Sequence, residues 1–353
     1  MDTASIKNAI AGRSDGPIAL GGQLVARAIV FPYSAIMRLR RWAYNARIMP
    51  SQAAKAPVIC VGNITTGGTG KTPMVDWVVG ELKGSGAGPA ILTRGYKSVD
   101  GKSDEAEMLK QSSGVEVVVN PDRIAGAKTA CESGADVLVM DDGFQHMRLR
   151  RDMNIVLIDA MNPFGHGCCL PLGRLREPLS ALRDAHAIVI TRSDAVEPAF
   201  IEALEQRLAD LAPQASLHLG VHKPIGLIDQ DGVAHELEEI VDRKVLIFAG
   251  IGNPEAFIAT VNSLGAEPVD FCIFGDHQKY NPTVIQRIYE HADVSEPEIY
   301  VTTEKDYVKL AEFELDRPVW RVVVEMEIAK GRDELINKIR ETAKVGQTHS
   351  HNY

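Results

Sequence analysis

The residues best suited to chemistry lie in the run Gly62-Asn63-Ile64-Thr65-Thr66-Gly67-Gly68-Thr69-Gly70-Lys71-Thr72. An apolar segment, Val58–Val61, leads into it, and Met74-Val75-Asp76-Trp77-Val78-Val79 follows with a helical pattern. Glycines let backbone N–H groups turn inward around a polyphosphate, and a helix N-terminus adds the positive end of its dipole. In such a strand, loop and helix, Thr65, Thr66, Gly67, Gly68, Thr69 and Gly70 line the phosphates, Lys71 reaches the β- and γ-phosphates, and Thr72 ligates Mg²⁺. Pro73 suits the first helical turn, where an N–H is dispensable. The pattern G-x-x-x-x-G-K-[ST] is broken once, by Thr65 in place of its first glycine. A glycine-rich linker that ends by chance in Gly-Lys-Thr is the alternative, and the flanking strand and helix weigh against it.

Further along, Val137-Leu138-Val139-Met140 ends in Asp141-Asp142. An apolar strand that delivers a carboxylate at its carboxyl end is how P-loop enzymes hold Mg²⁺ beside the loop. A solvated strand end or a helix cap is the bland reading of the same pair. Thr191-Arg192-Ser193-Asp194 stands where a GTPase carries its guanine-reading N-K-x-D, without the Asn or the Lys, so ATP is the expected nucleotide.

Phosphoryl transfer also needs cations to neutralise charge and a group that orients or deprotonates the attacking hydroxyl. Ser103-Asp104-Glu105-Ala106-Glu107 opens a helical stretch, and local sequence favours Asp104 as an N-cap with Glu107 completing a capping box. That role does not exclude catalysis. Phe274-Gly275-Asp276-His277 follows an apolar strand, and His277 could tune a carboxylate base across a cleft between lobes, although a lone His is more often structural. Gly173-Arg174-Leu175-Arg176-Glu177-Pro178-Leu179 offers two Arg residues that could clamp a substrate phosphate. Pro163-Phe164-Gly165-His166-Gly167-Cys168-Cys169 matches no metal-site spacing.

Positioning these groups takes an α/β scaffold. Short Val/Ile/Leu-rich runs at Val58–Gly62, Ala90–Thr93, Val115–Val119, Val137–Met140, Asn154–Ile158 and Ala187–Thr191 read as strands of a parallel sheet buried on both faces and flanked by helices. A second set, Lys244–Ala249, Val269–Phe274, Ile299–Thr302 and Val319–Val324, alternates with helical patterns at Pro254–Leu264 and Pro282–His291 and predicts a second, smaller α/β lobe. Short, polar-interrupted segments from Pro213 to Asp242, with the turn signal Asp229-Gln230-Asp231-Gly232, place the boundary there. The expected organisation is 1–50 as a basic amphipathic segment facing a membrane, 51–215 as a P-loop nucleotide-binding core, and 216–345 as the second lobe that completes the cleft. Gly346–Tyr353 reads as a frayed polar tail.

With 353 residues, 45% of them hydrophobic and 24% charged, the chain can bury a sizeable core. Five cysteines without a C-x-x-C pair fit a reducing compartment, and Met1–Asp15 lacks a secretory pattern. A net charge of −9 argues against nucleic acid as a partner. The charge is uneven: no Asp or Glu occurs between Gly16 and Val75, where Arg27, Arg38, Arg40, Arg41, Arg47 and Lys55 interleave with Leu24, Ile29, Phe31, Ile36, Leu39 and Trp42. That mixture suits an interfacial helix, with apolar groups at the acyl boundary and Arg at anionic headgroups, while the apolar run is too short to span. An ordinary amphipathic helix packed on the domain is the alternative.

Taken in order, Gly62-Asn63 with Gly67-Gly68-Thr69-Gly70-Lys71-Thr72-Pro73, Thr93-Arg94-Gly95-Tyr96, Asp104-Glu105, Asp141-Asp142-Gly143-Phe144-Gln145-His146, Pro163-Phe164-Gly165, Leu175-Arg176-Glu177-Pro178, Phe248-Ala249-Gly250-Ile251-Gly252-Asn253-Pro254, Asp276-His277 and Thr302-Thr303-Glu304-Lys305-Asp306 resemble the tetraacyldisaccharide 4′-kinase (lipid A 4′-kinase) family. The resemblance spans about Arg27 to Asp306. It implies ATP- and Mg²⁺-dependent phosphorylation of the 4′-hydroxyl of a tetraacyl glucosamine disaccharide 1-phosphate at the cytoplasmic face of a Gram-negative inner membrane; a monomer is the expected oligomeric state. It further implies that Asp104 and His277 form a catalytic pair, that Thr72, Asp141 and Asp142 serve the metal, and that Arg94, Glu105, Arg123, Gln145, His146, Arg176 and Glu177 contact the substrate. Ser103 and Ala106 depart from the family's Gly and Pro around the Asp-Glu pair, and Cys168-Cys169 and Arg174 stand where apolar residues or Pro are expected. A membrane-associated P-loop ATPase switch and a soluble small-molecule kinase are the competing expectations.

Overall fold

A computed structural model describes residues 17–95, 104–276, 278–310 and 312–350, with side chains left out for 17–27, 104–105 and 345–350. The described chain forms two compact units. The first comprises the residues up to Arg94, Val115–Val221 and those from Ile328 onward, and the second comprises Gly95–Gly114 and His222–Glu327.

In the first unit the strands are β1 (Val58–Asn63), β2 (Pro89–Thr93), β3 (Val117–Val119), β4 (Val137–Asp141), β5 (Met153–Asp159), β6 (Ala187–Thr191) and the start of β7 (Ser216–Ile228). Their spatial order is β3-β2-β4-β1-β5-β6-β7, and every neighbouring pair is parallel. Parallel strands need helical crossovers, so both faces are covered and the strands read as unbroken apolar runs. All residues of β1, β2, β4, β5 and β6 are buried. The helices of this unit are α1 (Pro17–Asn45), α2 (Lys71–Gly84), α4 (Arg123–Glu132), α5 (Pro198–Leu211) and α9 (Arg332–Ser350). Backbone helix therefore continues to Ser350, through residues whose polarity suggested a frayed tail.

The second unit contains β8 (Ala234–His235), β9 (Lys244–Ala249), β10 (Glu267–Ile273), β11 (Ile299–Thr303) and most of β12 (Val319–Lys330). The order β10-β9-β11-β12 is again parallel, and β8 pairs antiparallel with the far end of β7. Its helices are α3 (Asp104–Ser113), α6 (Pro254–Ser263), α7 (Pro282–Ser295) and the single turn α8 (Glu304–Tyr307).

The stretch from Pro213 to Asp242, which the sequence suggested was turn-rich, contains the 13-residue β7. Few of its residues are fully buried, so polar side chains such as His222 and Lys223 interrupt its apolar pattern and hide a strand that a search for unbroken runs misses. The chain changes unit after Arg94 and after Gly114, and again within β7 and within β12, the last two being strands rather than linkers.

Candidate active site

In an open parallel sheet, ligands bind beyond the carboxyl ends of the strands. Here β1, β4, β5 and β6 bring Asn63, Asp141, Asp159 and Thr191 to that edge. Register places Asp141 beside Val61, so the Asp pair emerges next to the start of the glycine-rich loop.

The loop runs from Ile64 to Gly70, and α2 begins at Lys71. Two left-handed glycines bend it, Gly67 at φ 120° and Gly70 at φ 83°, the latter as the N-cap of α2. Thr65 stands in for the pattern's first glycine without strain: it has no positive φ and forms an antiparallel bridge with Leu175. Beside it, Thr66 N donates to Arg174 O (2.7 Å) and Arg176 N to Ile64 O (2.7 Å). At the centre, Asn63 Nδ2 donates to Thr69 Oγ1 (2.9 Å) and Thr191 Oγ1 to Thr69 O (3.1 Å). Lys71 and Thr72 are half-buried, while Thr66 and Gly68 are exposed. Gly62 is required by contact, since a Cβ there would lie 2.7 Å from Phe144 Cβ.

Asp142 sits at φ 48°, which turns its carboxylate toward the loop. Its Oδ1 accepts from Arg176 Nη1 at 2.7 Å and lies 3.8 Å from Lys71 Nζ. Burial pushes its pKa up, but Lys71 and Arg176 outweigh that and hold it below the usual carboxylate value. Asp141 is buried, and Arg123 Nη2 donates to its backbone carbonyl at 3.0 Å. Burial lowers the Arg123 pKa, against the opposing pull of Asp141 and Asp142. Among the described residues no group of three or more His, Cys, Asp and Glu could hold a metal ion by itself. Mg²⁺ binds through one or two carboxylates, waters and substrate phosphates, so one hydroxyl and two acidic side chains at the mouth of the loop are a fitting donor set.

The segment after the Asp pair is tied back to the loop. Gln145 Nε2 donates to Asn63 O at 2.8 Å, while its Oε1 is buried without a partner among the described residues. His146 Nε2 and Arg123 Nη1 share that condition. Burial, reinforced by Arg123, Arg148 and Arg151, pushes the His146 pKa down to about 4. Arg176 also approaches Asn63 Oδ1, at 3.5 Å, and Arg94 is exposed just beyond β2.

Glu177 departs from the expected substrate contact. It is 1% exposed, and its carboxylate pairs with Arg41 of α1. Arg41 also pairs with Asp184 and lies over the buried Phe144 ring, its guanidinium carbon 4.6 Å from the centroid. The charge motif at Arg176-Glu177 thus splits: Arg176 faces the loop and Glu177 faces inward to anchor a helix. Tyr33 Oη to Arg176 O (2.8 Å) and Arg40 Nη2 to Gln145 O (3.0 Å) strengthen that anchor.

His277 lies outside the described residues. Asp104 opens α3, and its side chain and that of Glu105 are outside them too. Sequence reasoning overlooked Thr191 and Arg192, which donate to the carbonyls of Thr69 and Gly68 in the loop, Asp159 as the partner of Arg192, and Arg41 as an anchor. Asp159 ends an apolar strand just as Asp141 does, which was the available signal; Arg41 was one charge within a basic run.

The tetraacyldisaccharide-1-P 4′-kinase family model matches residues 24–343. A tetraacyldisaccharide 4′-kinase of Anaeromyxobacter sp. (strain K) is 37% identical over 350 residues, covering 91% of this chain and 90% of that protein. One from Syntrophus aciditrophicus is 39% identical over 319 residues, covering 82% and 85%. The crystal structure of the "apo" form of the LpxK protein from Aquifex aeolicus in complex with ATP superposes with a TM-score of 0.68 at 27% identity, covering 89% of this chain and 97% of that one.

Proposed function

The chain belongs to the tetraacyldisaccharide-1-P 4′-kinase family, and from that membership we propose that it transfers the γ-phosphate of ATP to the 4′-hydroxyl of a tetraacyl glucosamine disaccharide 1-phosphate in lipid A biosynthesis. The observation that carries the reading is the convergence of Lys71, Asp142 and Arg176 at the mouth of a glycine-rich strand–loop–helix.

In the proposed reaction the 4′-hydroxyl oxygen attacks the γ-phosphorus, the bond to the β,γ-bridging oxygen breaks, ADP leaves, and the hydroxyl proton passes to a base. Lys71 and the loop N–H groups orient the phosphates. Thr72, Asp141 and Asp142 would hold Mg²⁺, which supplies positive charge to the developing anion. Arg176 is placed to exchange its Asp142 contact for a phosphate oxygen. Asp104 is the proposed base and His277 the group that tunes it. Arg94, Glu105, Arg123, Gln145 and His146 are proposed to contact the acceptor; unpaired polar atoms on Arg123, Gln145 and His146 support this, because buried polar groups normally find partners.

We further propose that the protein works as a peripheral protein on the cytoplasmic face of the inner membrane. Among the described residues no helix is long and apolar enough to cross a membrane. Support comes from α1: Tyr33, Met37, Arg41 and Tyr44 turn toward the domain, while Phe31 (82%), Leu39 (62%), Ile36 (58%) and Trp42 (57%) are exposed beside the exposed Arg38. An apolar strip with basic neighbours suits the boundary between headgroups and acyl chains.

Incubation with γ-labelled ATP, Mg²⁺ and the disaccharide 1-phosphate in detergent micelles tests the proposal. A labelled bisphosphorylated lipid is expected. Folded protein that yields no labelled lipid, or that hydrolyses ATP equally fast without acceptor, overturns it.

A further inference from the structure

We infer that Thr191 and Arg192, at the carboxyl end of β6, are positioning residues that set the phosphate-binding face of the glycine-rich loop, with Asp159 holding Arg192 in place; the inference rests on the nucleotide reading of that loop. A trans peptide unit is rigid, and its C=O and the following N–H point in opposite directions. A donor that holds the carbonyl of Gly68 therefore also fixes the N–H of Thr69, and one that holds the carbonyl of Thr69 fixes the N–H of Gly70. Arg192 Nη2 donates to Gly68 O at 2.9 Å, and Thr191 Oγ1 donates to Thr69 O at 3.1 Å. Two successive peptide units of the loop are thus oriented by the neighbouring strand. With their carbonyls held on the β6 side, their N–H groups point the other way.

Arg192 is itself constrained. Its Nη1 donates to Asp159 Oδ2 at 2.6 Å, with side chains only 13% and 9% exposed. Its backbone is left-handed at φ 54°, a conformation that a non-glycine residue keeps only when its surroundings fix it. The planar fork of a guanidinium serves Asp159 and Gly68 at once, which a single ammonium does less well. In a guanine reader the corresponding N-K-x-D segment serves the base; here Thr191 and Arg192 are committed to the loop.

ADP is the probe, because it carries the β-phosphate without a transferable group. Its affinity is measured by calorimetry on the full chain with Mg²⁺, with thermal melts confirming that each variant is folded. Arg192→Ala and Asp159→Asn should each weaken ADP by about tenfold, the scale of one charge-assisted hydrogen bond. Because the two residues act as a unit, the double variant should be no weaker than the single ones. Arg192→Lys should fall between wild type and Arg192→Ala. Thr191→Val leaves the ion pair intact and should weaken ADP by about threefold, the loss of one neutral bond, which keeps the inference testable if the ion-pair variants unfold. KM for ATP should rise in step with the ADP dissociation constant while kcat changes less. Wild-type ADP affinity in Arg192→Ala or in Thr191→Val overturns the inference, and so does a silent Asp159→Asn beside a weakened Arg192→Ala, which would place Arg192 on the nucleotide itself. A wild-type protein that binds no ADP removes the nucleotide reading, and the inference with it.

Discussion

Glu177 separates an anchoring role from a substrate contact most sharply. Its side chain is 2% exposed and that of Arg41 is 8% exposed, so each charge depends on the other rather than on water. Removing one partner of a buried pair costs about 3–5 kcal/mol, because the survivor is left uncompensated. Glu177→Ala leaves Arg41 with Asp184 as a second acceptor, so a loss near the lower limit, about 3 kcal/mol, is expected. Arg41→Ala strands Glu177 itself and removes the group lying over Phe144, so it should approach about 5 kcal/mol. Replacing both by Met and Leu should recover much of either loss, since an apolar pair of similar volume avoids the desolvation of both charges. Urea unfolding of the full chain reads all three. Glu177→Ala with wild-type stability and a raised KM for the lipid would refute the anchoring argument and return Glu177 to the substrate.

Asp104→Ala and His277→Ala should each lower kcat far more than they raise KM for ATP, as groups acting in the transition state do; steady-state kinetics with varied ATP checks this, and a pure KM effect would remove them from the chemistry. His146 links stability to pH. Its folded pKa of about 4 lies below the 6.5 of an ordinary imidazole, so below pH 6.5 the unfolded chain takes up a proton that the folded chain refuses until about pH 4. Stability from this residue is therefore complete above pH 6.5 and falls as the pH drops toward 4, by about 1 kcal/mol at pH 5 once solvent screening of the half-buried ring is allowed for. His146→Gln should flatten that part of the pH dependence in denaturant unfolding, and an unchanged slope would contradict it. Phe31→Glu with Trp42→Glu should lower co-sedimentation with anionic vesicles at least tenfold, from lost apolar burial and added repulsion, without changing the melting temperature; unchanged vesicle binding would place the contact elsewhere.

Much of the candidate nucleotide site's geometry was legible because its residues are local in sequence. The loop Gly67–Thr72 and the strand that ends in Asp141 carry their own strand and helix signals, and a parallel sheet announces itself through buried apolar runs. What escaped was non-local or of mixed pattern. The half-exposed β7 alternates too irregularly to be read as a strand, and α9 extends through residues whose polarity suggested a tail. Glu177 looked functional because a charged residue inside a motif has the same appearance whether it faces a ligand or a buried Arg more than a hundred residues away. Thr65 seemed a defect in the loop until its bridge to Leu175 showed that no glycine is needed there.

Phosphoryl transfer to a lipid is distinguished from nucleotide hydrolysis by the coupling ratio. Labelled phosphate on the 4′-position is counted against ADP released, with the acceptor disaccharide 1-phosphate present in micelles and then withheld. One phosphate transferred for each ADP released is expected, with almost no ADP released without acceptor. ADP release that is fast without lipid and leaves the 4′-position unlabelled would contradict it.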